Sequence, residues 1–128
     1  MTEPFVETYK SINGTDIQLA AFPSKAPGTA PVLVHIHGGA LMFGNRMELN
    51  GLLLNLLAER GYAQVSIDYR LAPETKLPDI IEDVEDAFRW VRGPGAERGG
   101  WDRRRIGVIG ASAGGYLALM TGLRVLPL

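Results

Sequence analysis

The chain has 128 residues, of which 46% are apolar and 21% charged, enough to build a core and unlike the composition of a disordered segment. One domain is the ceiling at this length. Thirteen Lys and Arg balance fourteen Asp and Glu, which gives no broad attraction for nucleic acid or anionic membrane, and the lack of cysteine excludes disulfides, thiolate metal sites and thiol nucleophiles.

The N-terminus carries Glu3 and Glu7 without an apolar leader-like run, and no apolar stretch approaches a bilayer span, so a cytoplasmic protein is expected. Phe5–Ser11 and Asp16–Phe22 alternate in character around Asn13-Gly14, the signal of an antiparallel hairpin; this favours a turn over the glycosylation pattern that Asn13-Gly14-Thr15 also matches. A Pro/Gly/Ala-rich loop over 23–31 follows, then the mostly apolar run Val32–Ile36, which reads as a strand covered on both faces.

Glu48–Arg60 places Leu49, Leu52, Leu53, Leu56 and Leu57 at helical spacing before Gly61. Ala63–Ile67 reads as a strand and Tyr69–Pro78 as a loop. Asp79–Val91 reads as a helix with Ile80, Val84, Ala87, Phe88 and Val91 on one face and Glu82, Asp83, Glu85 and Asp86 on a solvated one. Gly93–Gly100 is expected as a surface loop, Arg105–Gly110 as a third strand, and Gly114–Val125 as the start of a third helix in which Tyr116, Leu117 and Leu119 pack. Alternation of strand and helix in this order predicts an α/β fold with a parallel sheet and helices on both faces. The reading divides the chain into an N-terminal hairpin and loop, 1–31, and a βαβαβα core, 32–128.

Gly110-Ala111-Ser112-Ala113-Gly114 fits the G-x-S-x-G pattern at the junction of a strand and a helix. Glycines there permit a tight turn that lifts a serine clear of the packed layers, where it can act as a nucleophile; the bland reading is a small-residue turn whose serine caps the helix. After the first buried strand, His37-Gly38-Gly39-Ala40 offers backbone without bulk, whose amides can face an oxygen that becomes negative. Of the two histidines, His35 reads as a satisfied residue of a buried strand and His37 as part of the glycine loop; neither stands where a general base belongs, and no metal or cofactor is expected.

These two motifs, with Asp68-Tyr69-Arg70-Leu71-Ala72-Pro73-Glu74, the downstream Pro78, and Trp101-Asp102 ahead of Arg105-Ile106, resemble the hormone-sensitive-lipase-like esterases of the α/β-hydrolase fold, in order and in spacing from Val32 onward. The resemblance implies a serine carboxylesterase acting on small esters. Ser112 corresponds to the nucleophile, Gly38, Gly39, Ala40 and Ala113 to the oxyanion hole, and His37, Gly110 and Gly114 to structural support; Tyr69, Arg70 and Glu74 belong to the loop that supports the site. Two departures stand out. Ala40 replaces a third glycine, and Ala111 replaces the aspartate common in the lipase branch, so related feruloyl-esterase-like and peptidase-like hydrolases stay open, as does a ligand-binding module without catalysis.

In this fold the acid and histidine of the triad follow the serine along the chain, yet none of the 16 residues after Ser112 is Asp, Glu or His. The sequence therefore reads as the N-terminal half of the fold, ending after the helix that follows Ser112, with Pro127 where a linker would begin and a C-terminal half as its complementing partner. By itself it is expected to be inactive and to associate through the unpaired third parallel strand.

Overall fold

A computed structural model describes residues 3–26 and 30–124. It contains β1 (Phe5–Ile12), β2 (Thr15–Phe22), β3 (Ala30–Ile36), α1 (Gly51–Glu59), β4 (Ala63–Ile67), α2 (Leu77–Arg92), α3 (Pro94–Gly99), β5 (Trp101–Gly110) and α4 (Ala113–Arg124). One sheet of five strands runs in the order β1-β2-β4-β3-β5.

The hairpin forms where the sequence places it, because Asn13 and Gly14 both take positive φ, 52° and 76°, as a two-residue hairpin turn of this hand requires. β2 pairs antiparallel with β4, which carries the hairpin onto a parallel set of β4, β3 and β5. Among the described residues β5 pairs only with β3 and forms the open edge.

β4 is buried along its whole length, but its two faces differ in chemistry. Ala63, Val65 and Ile67 join Val32, Val34 and Ile36 of β3 beneath Val84, Phe88 and Val91 of α2 and Leu117 of α4. Gln64, Ser66 and His35 face the other way and are satisfied individually: Gln64 Oε1 lies 2.8 Å from His35 Nε2, Gln64 Nε2 donates to the Leu54 carbonyl, and Ser66 Oγ donates to the Arg46 carbonyl. With such a polar floor under it α1 buries no residue, although its sequence is rich in leucine, and Leu52 and Leu56 stay exposed.

Several expectations are corrected. Residues 93–100 are not a surface loop: Pro94 starts a short helix, and Gly95 and Gly99 lie so close to Trp90 and Trp101 that a Cβ on either would fall within 2.5 Å of an indole ring. β5 begins at Trp101 rather than Arg105, since the Trp101 indole is buried and donates to the Val91 carbonyl. Pro78 lies in the first turn of α2, where its missing N–H costs nothing. Of the three α4 residues expected to pack, only Leu117 is buried; Tyr116 and Leu119 face outward. Val125 and Pro127 lie outside the described residues.

Candidate active site

β3 and β5 are adjacent and parallel, so their C-terminal ends deliver their following loops to the same edge of the sheet. His37–Ala40 leaves β3 and Ala111-Ser112 leaves β5. The close approach of the two is carried by Gly38: a Cβ built there would stand 2.8 Å from the Ala111 carbonyl oxygen and 3.3 Å from Ser112 Cβ. Hence only glycine lets the loop lie against the turn.

Ser112 has φ of 56°, the left-handed conformation that costs an L-residue about 1–2 kcal/mol, and its side chain is exposed. The turn survives because both flanks are locked. Gly114 N donates to Ala111 O and Gly115 N to Ser112 O, starting α4, while Gly110 and Gly114 are packed backbone to backbone. A Cβ on Gly114 would lie 2.0 Å from Ile36 O and 2.7 Å from His37 O, so the start of α4 also rests on the end of β3.

The glycine loop is similarly constrained. Gly39, Ala40 and Leu41 all have positive φ, 120°, 56° and 67°, and the Met42 and Phe43 amides both donate to Gly39 O. Among the described residues no protein acceptor takes the amides of Gly39, Ala40 or Ala113, which leaves three donors open on this edge. Ala40 retains the N–H of the glycine it replaces and accepts the strained φ.

The two imidazoles are both buried, and His37 keeps a buried ring nitrogen, Nε2, without a partner among the described residues. His35, buried on β3, bonds Gln64, and burial lowers its pKa against the raising effect of that bond. His37 places Nδ1 2.7 Å from Gly38 O, which makes Nδ1 the protonated nitrogen, and its ring stacks on Tyr69 at 4.3 Å between centroids with planes 8° apart. Tyr69 O–H donates to the His37 carbonyl at 2.7 Å; burial, with the Glu48 carboxylate adding, pushes the phenol up to about 12. The Ala72 amide donates to Leu41 O at 2.7 Å, so the segment after β4 grips the glycine loop at two points.

The reading of Glu82, Asp83, Glu85 and Asp86 as a solvated face fails for two of them. Asp83 is fully buried and Glu85 nearly so. Asp83 Oδ2 accepts from Arg70 N and Nε, and Oδ1 from Arg70 Nη2 and Lys10 Nζ. Burial opposes ionisation of Asp83, but these bonds outweigh it and hold the carboxyl below the usual aspartate range. The signal was present in the helix register, since Asp83 follows Ile80 by three residues and precedes Ala87 by four, on the apolar face. Arg70 thus does support the loop, as expected, whereas Glu74 is exposed. Among the described residues no group of three His, Cys, Asp or Glu side chains could hold a metal, and no helix is long and apolar enough to cross a membrane.

This sheet order, with a left-handed serine turn between β5 and α4, is that of α/β-hydrolases of the esterase kind. The described fold superimposes on EstE1, a thermophilic carboxylesterase from a metagenomic library, with a TM-score of 0.83 at 33% identity, over 94% of this chain and 40% of that one. It also superimposes on a thermophilic esterase of Thermogutta terrifontis, with a TM-score of 0.81 at 30% identity, over 91% of this chain and 43% of that one. Among curated proteins, esterase LipC of Mycobacterium tuberculosis is 43% identical over 94 residues, which are 73% of this chain and 23% of LipC. An ethyl acetate hydrolase of Pseudomonas putida is 35% identical over 80% of this chain and 32% of its own length. The BD-FAE family pattern matches residues 16–126, and the chain belongs to that family of α/β-hydrolases. Its relatives include the hormone-sensitive-lipase-like esterases that the motifs resemble, and it spans less than half the length of each relative named above.

Proposed function

We propose that the chain supplies the nucleophile and oxyanion portion of a serine carboxylesterase, with Ser112 as nucleophile and the Gly39, Ala40 and Ala113 amides as donors. The observation that supports this most directly is the contact of Gly38 with the left-handed Ser112 turn, which brings the glycine loop and the serine to one edge of the sheet. Gly38 and His37 shape the loop, and Gly110 and Gly114 let the turn close.

In the reaction, Ser112 Oγ attacks an ester carbonyl while a histidine accepts its proton; the carbonyl oxygen gains the negative charge and is met by the open amides. The alcohol leaves with the proton returned by the histidine, and water then hydrolyses the acyl-enzyme by the same two transfers. Neither His35 nor His37 is read as that base: His35 Nε2 is taken by Gln64, and His37 Nε2, the nitrogen left to accept a proton, is buried while Ser112 is exposed. Base and acid come from a C-terminal half of the kind that the longer relatives possess, and small carboxylic esters are the substrates.

The 128 residues alone therefore hydrolyse a short-chain nitrophenyl ester no faster than their Ser112→Ala variant. Joined to a C-terminal half that restores turnover, the protein is labelled by an organophosphorus ester at Ser112, and Ser112→Ala removes the label. Label persisting in the alanine variant would show that another residue is the nucleophile. A ligand that raises the melting temperature of the completed protein without any turnover would favour a binding module instead.

A further inference from the structure

We propose that Asp83 is a positioning residue for this site, its buried carboxylate fixing the chain at Arg70 and thereby setting where the His37–Ala40 loop lies against Ser112. The inference rests on the reading of that loop as the oxyanion loop. Its basis is a set of direct hydrogen bonds between elements far apart in sequence, joined through the main chain of residues 69–72.

Asp83 sits on α2 with none of its side chain exposed, and its two oxygens accept four donors. One of those donors is the main-chain amide of Arg70, at 3.0 Å, so the carboxylate holds the backbone and not merely a flexible side chain. Arg70 Nε and Nη2, both at 2.9 Å, close a fork on the same carboxylate and fix the direction of the chain there. The preceding residue is Tyr69, whose hydroxyl reaches the His37 carbonyl and whose ring lies flat on the His37 ring. Two residues beyond Arg70, the Ala72 amide bonds Leu41 O. The segment pinned at Arg70 therefore touches both ends of the stretch 37–41, and Gly38 within that stretch is in contact with the Ser112 turn.

The hairpin braces the same segment from the other side. Register shifts between Thr8 and Lys10, and a shift of this kind re-aims neighbouring side chains. Tyr9 O–H then donates to the Asp68 carbonyl at 2.5 Å, while Lys10 Nζ reaches Asp83 at 2.8 Å and Asp86 at 2.7 Å. Asp68 in turn accepts from the Arg46 amide and guanidinium, which ties down the far end of the loop that begins at His37. A buried ion network is a poor means of gaining stability, since well-packed apolar residues serve as well or better. What it adds is direction: forked hydrogen bonds tolerate little slip, and amides that must meet a developing oxyanion have to be held to about half an ångström.

The test is the amide NMR spectrum of the isotope-labelled chain, kept dilute enough to be monomeric, for Asp83→Asn, Arg70→Lys, Tyr69→Phe and the control Glu82→Gln. Glu82 shares the helix and Lys10 but is exposed. Expected is displacement or broadening of the Gly38, Gly39 and Ala40 signals in the first three variants and none in the control. Tyr69→Phe removes the bond to the His37 carbonyl directly and Arg70→Lys the fork on Asp83 one residue away, so the same loop signals move in both. Should Asp83→Asn fail to fold, Arg70→Lys, which keeps the charge and loses the fork, decides the matter. Signals of residues 38–40 that stay in place while those around Arg70 and on α2 move would overturn the proposal and leave Asp83 a local structural residue. Failure of the site reading looks different: the loop signals move as expected, yet the completed enzyme is not labelled at Ser112.

Discussion

The left-handed φ of Ser112 can be tested on this chain without any catalysis, by comparing Ser112→Gly with Ser112→Ala. Both remove the hydroxyl, so any capping or surface contribution of the oxygen cancels in the comparison. They differ in the Cβ. At φ of 56° the alanine retains a conformational strain of about 1–2 kcal/mol that glycine does not feel, while glycine carries about 0.4–1 kcal/mol of extra unfolded-state entropy. The difference leaves Ser112→Gly the more stable by roughly 0.5–1 kcal/mol, or about 2–4 °C in melting temperature for a chain of this size. Urea and thermal unfolding followed by circular dichroism resolve a gap of that size. Ala118→Gly, in the interior of α4, is the internal reference and has the opposite sign, losing about 0.5–1 kcal/mol. Ala40→Gly, at φ of 56°, should gain like Ser112→Gly does over alanine. If Ser112→Gly proves no more stable than Ser112→Ala, the serine is not held in a strained turn, and the argument from the elbow geometry falls with it.

The two glycines that open α4 should respond oppositely to alanine. Gly114→Ala puts a methyl 2.0 Å from Ile36 O, against main chain that cannot swing away, and costs about 1–3 kcal/mol or more; Gly115→Ala meets nothing nearer than 3.4 Å and gains up to about 1 kcal/mol of helix propensity. Equal denaturation midpoints for the pair would refute the packing of α4 on β3. The Tyr69 phenol, pushed up to about 12 by burial and then by Glu48, keeps its proton when the unfolded chain begins to lose it near pH 10. Its contribution to stability is thus complete below pH 10 and lost as pH rises to about 12, and the Tyr69→Phe chain has a flatter alkaline limb. A phenolate difference spectrum showing Tyr69 ionising with the ordinary tyrosines would contradict its bond to His37. The open edge at β5, with Leu119 and Leu123 exposed on the helix that follows, makes the isolated chain self-associate, so light scattering should show species larger than a monomer at moderate concentration.

Much of this was legible in the sequence because it is governed by local chemistry. The Asn13-Gly14 turn needs two residues that accept positive φ, the strands over 32–36 and 63–67 need apolar residues at every second position for the face under α2, and the serine turn needs small residues on both sides; each requirement is met within a few positions and is visible there. The sheet order β1-β2-β4-β3-β5 is not local, since it depends on which crossover passes over which face, and only the assembled sheet shows that β3 and β5 are neighbours whose loops meet. Long-range pairing likewise decided the status of Asp83: beside three other acids it looks like solvated helix surface, until Lys10 and Arg70, 73 and 13 residues away, arrive to neutralise it. The turn over 93–100 became a helix for the same reason, because Trp90 and Trp101 supply a wall that the glycines there can press against. Sequence alone determined which segments could turn, extend or coil, because backbone sterics and apolar periodicity act over a few residues. Which polar groups could be buried, and which loops would meet at Ser112, was decided by tertiary structure, because a charge leaves water only where the fold brings it a partner.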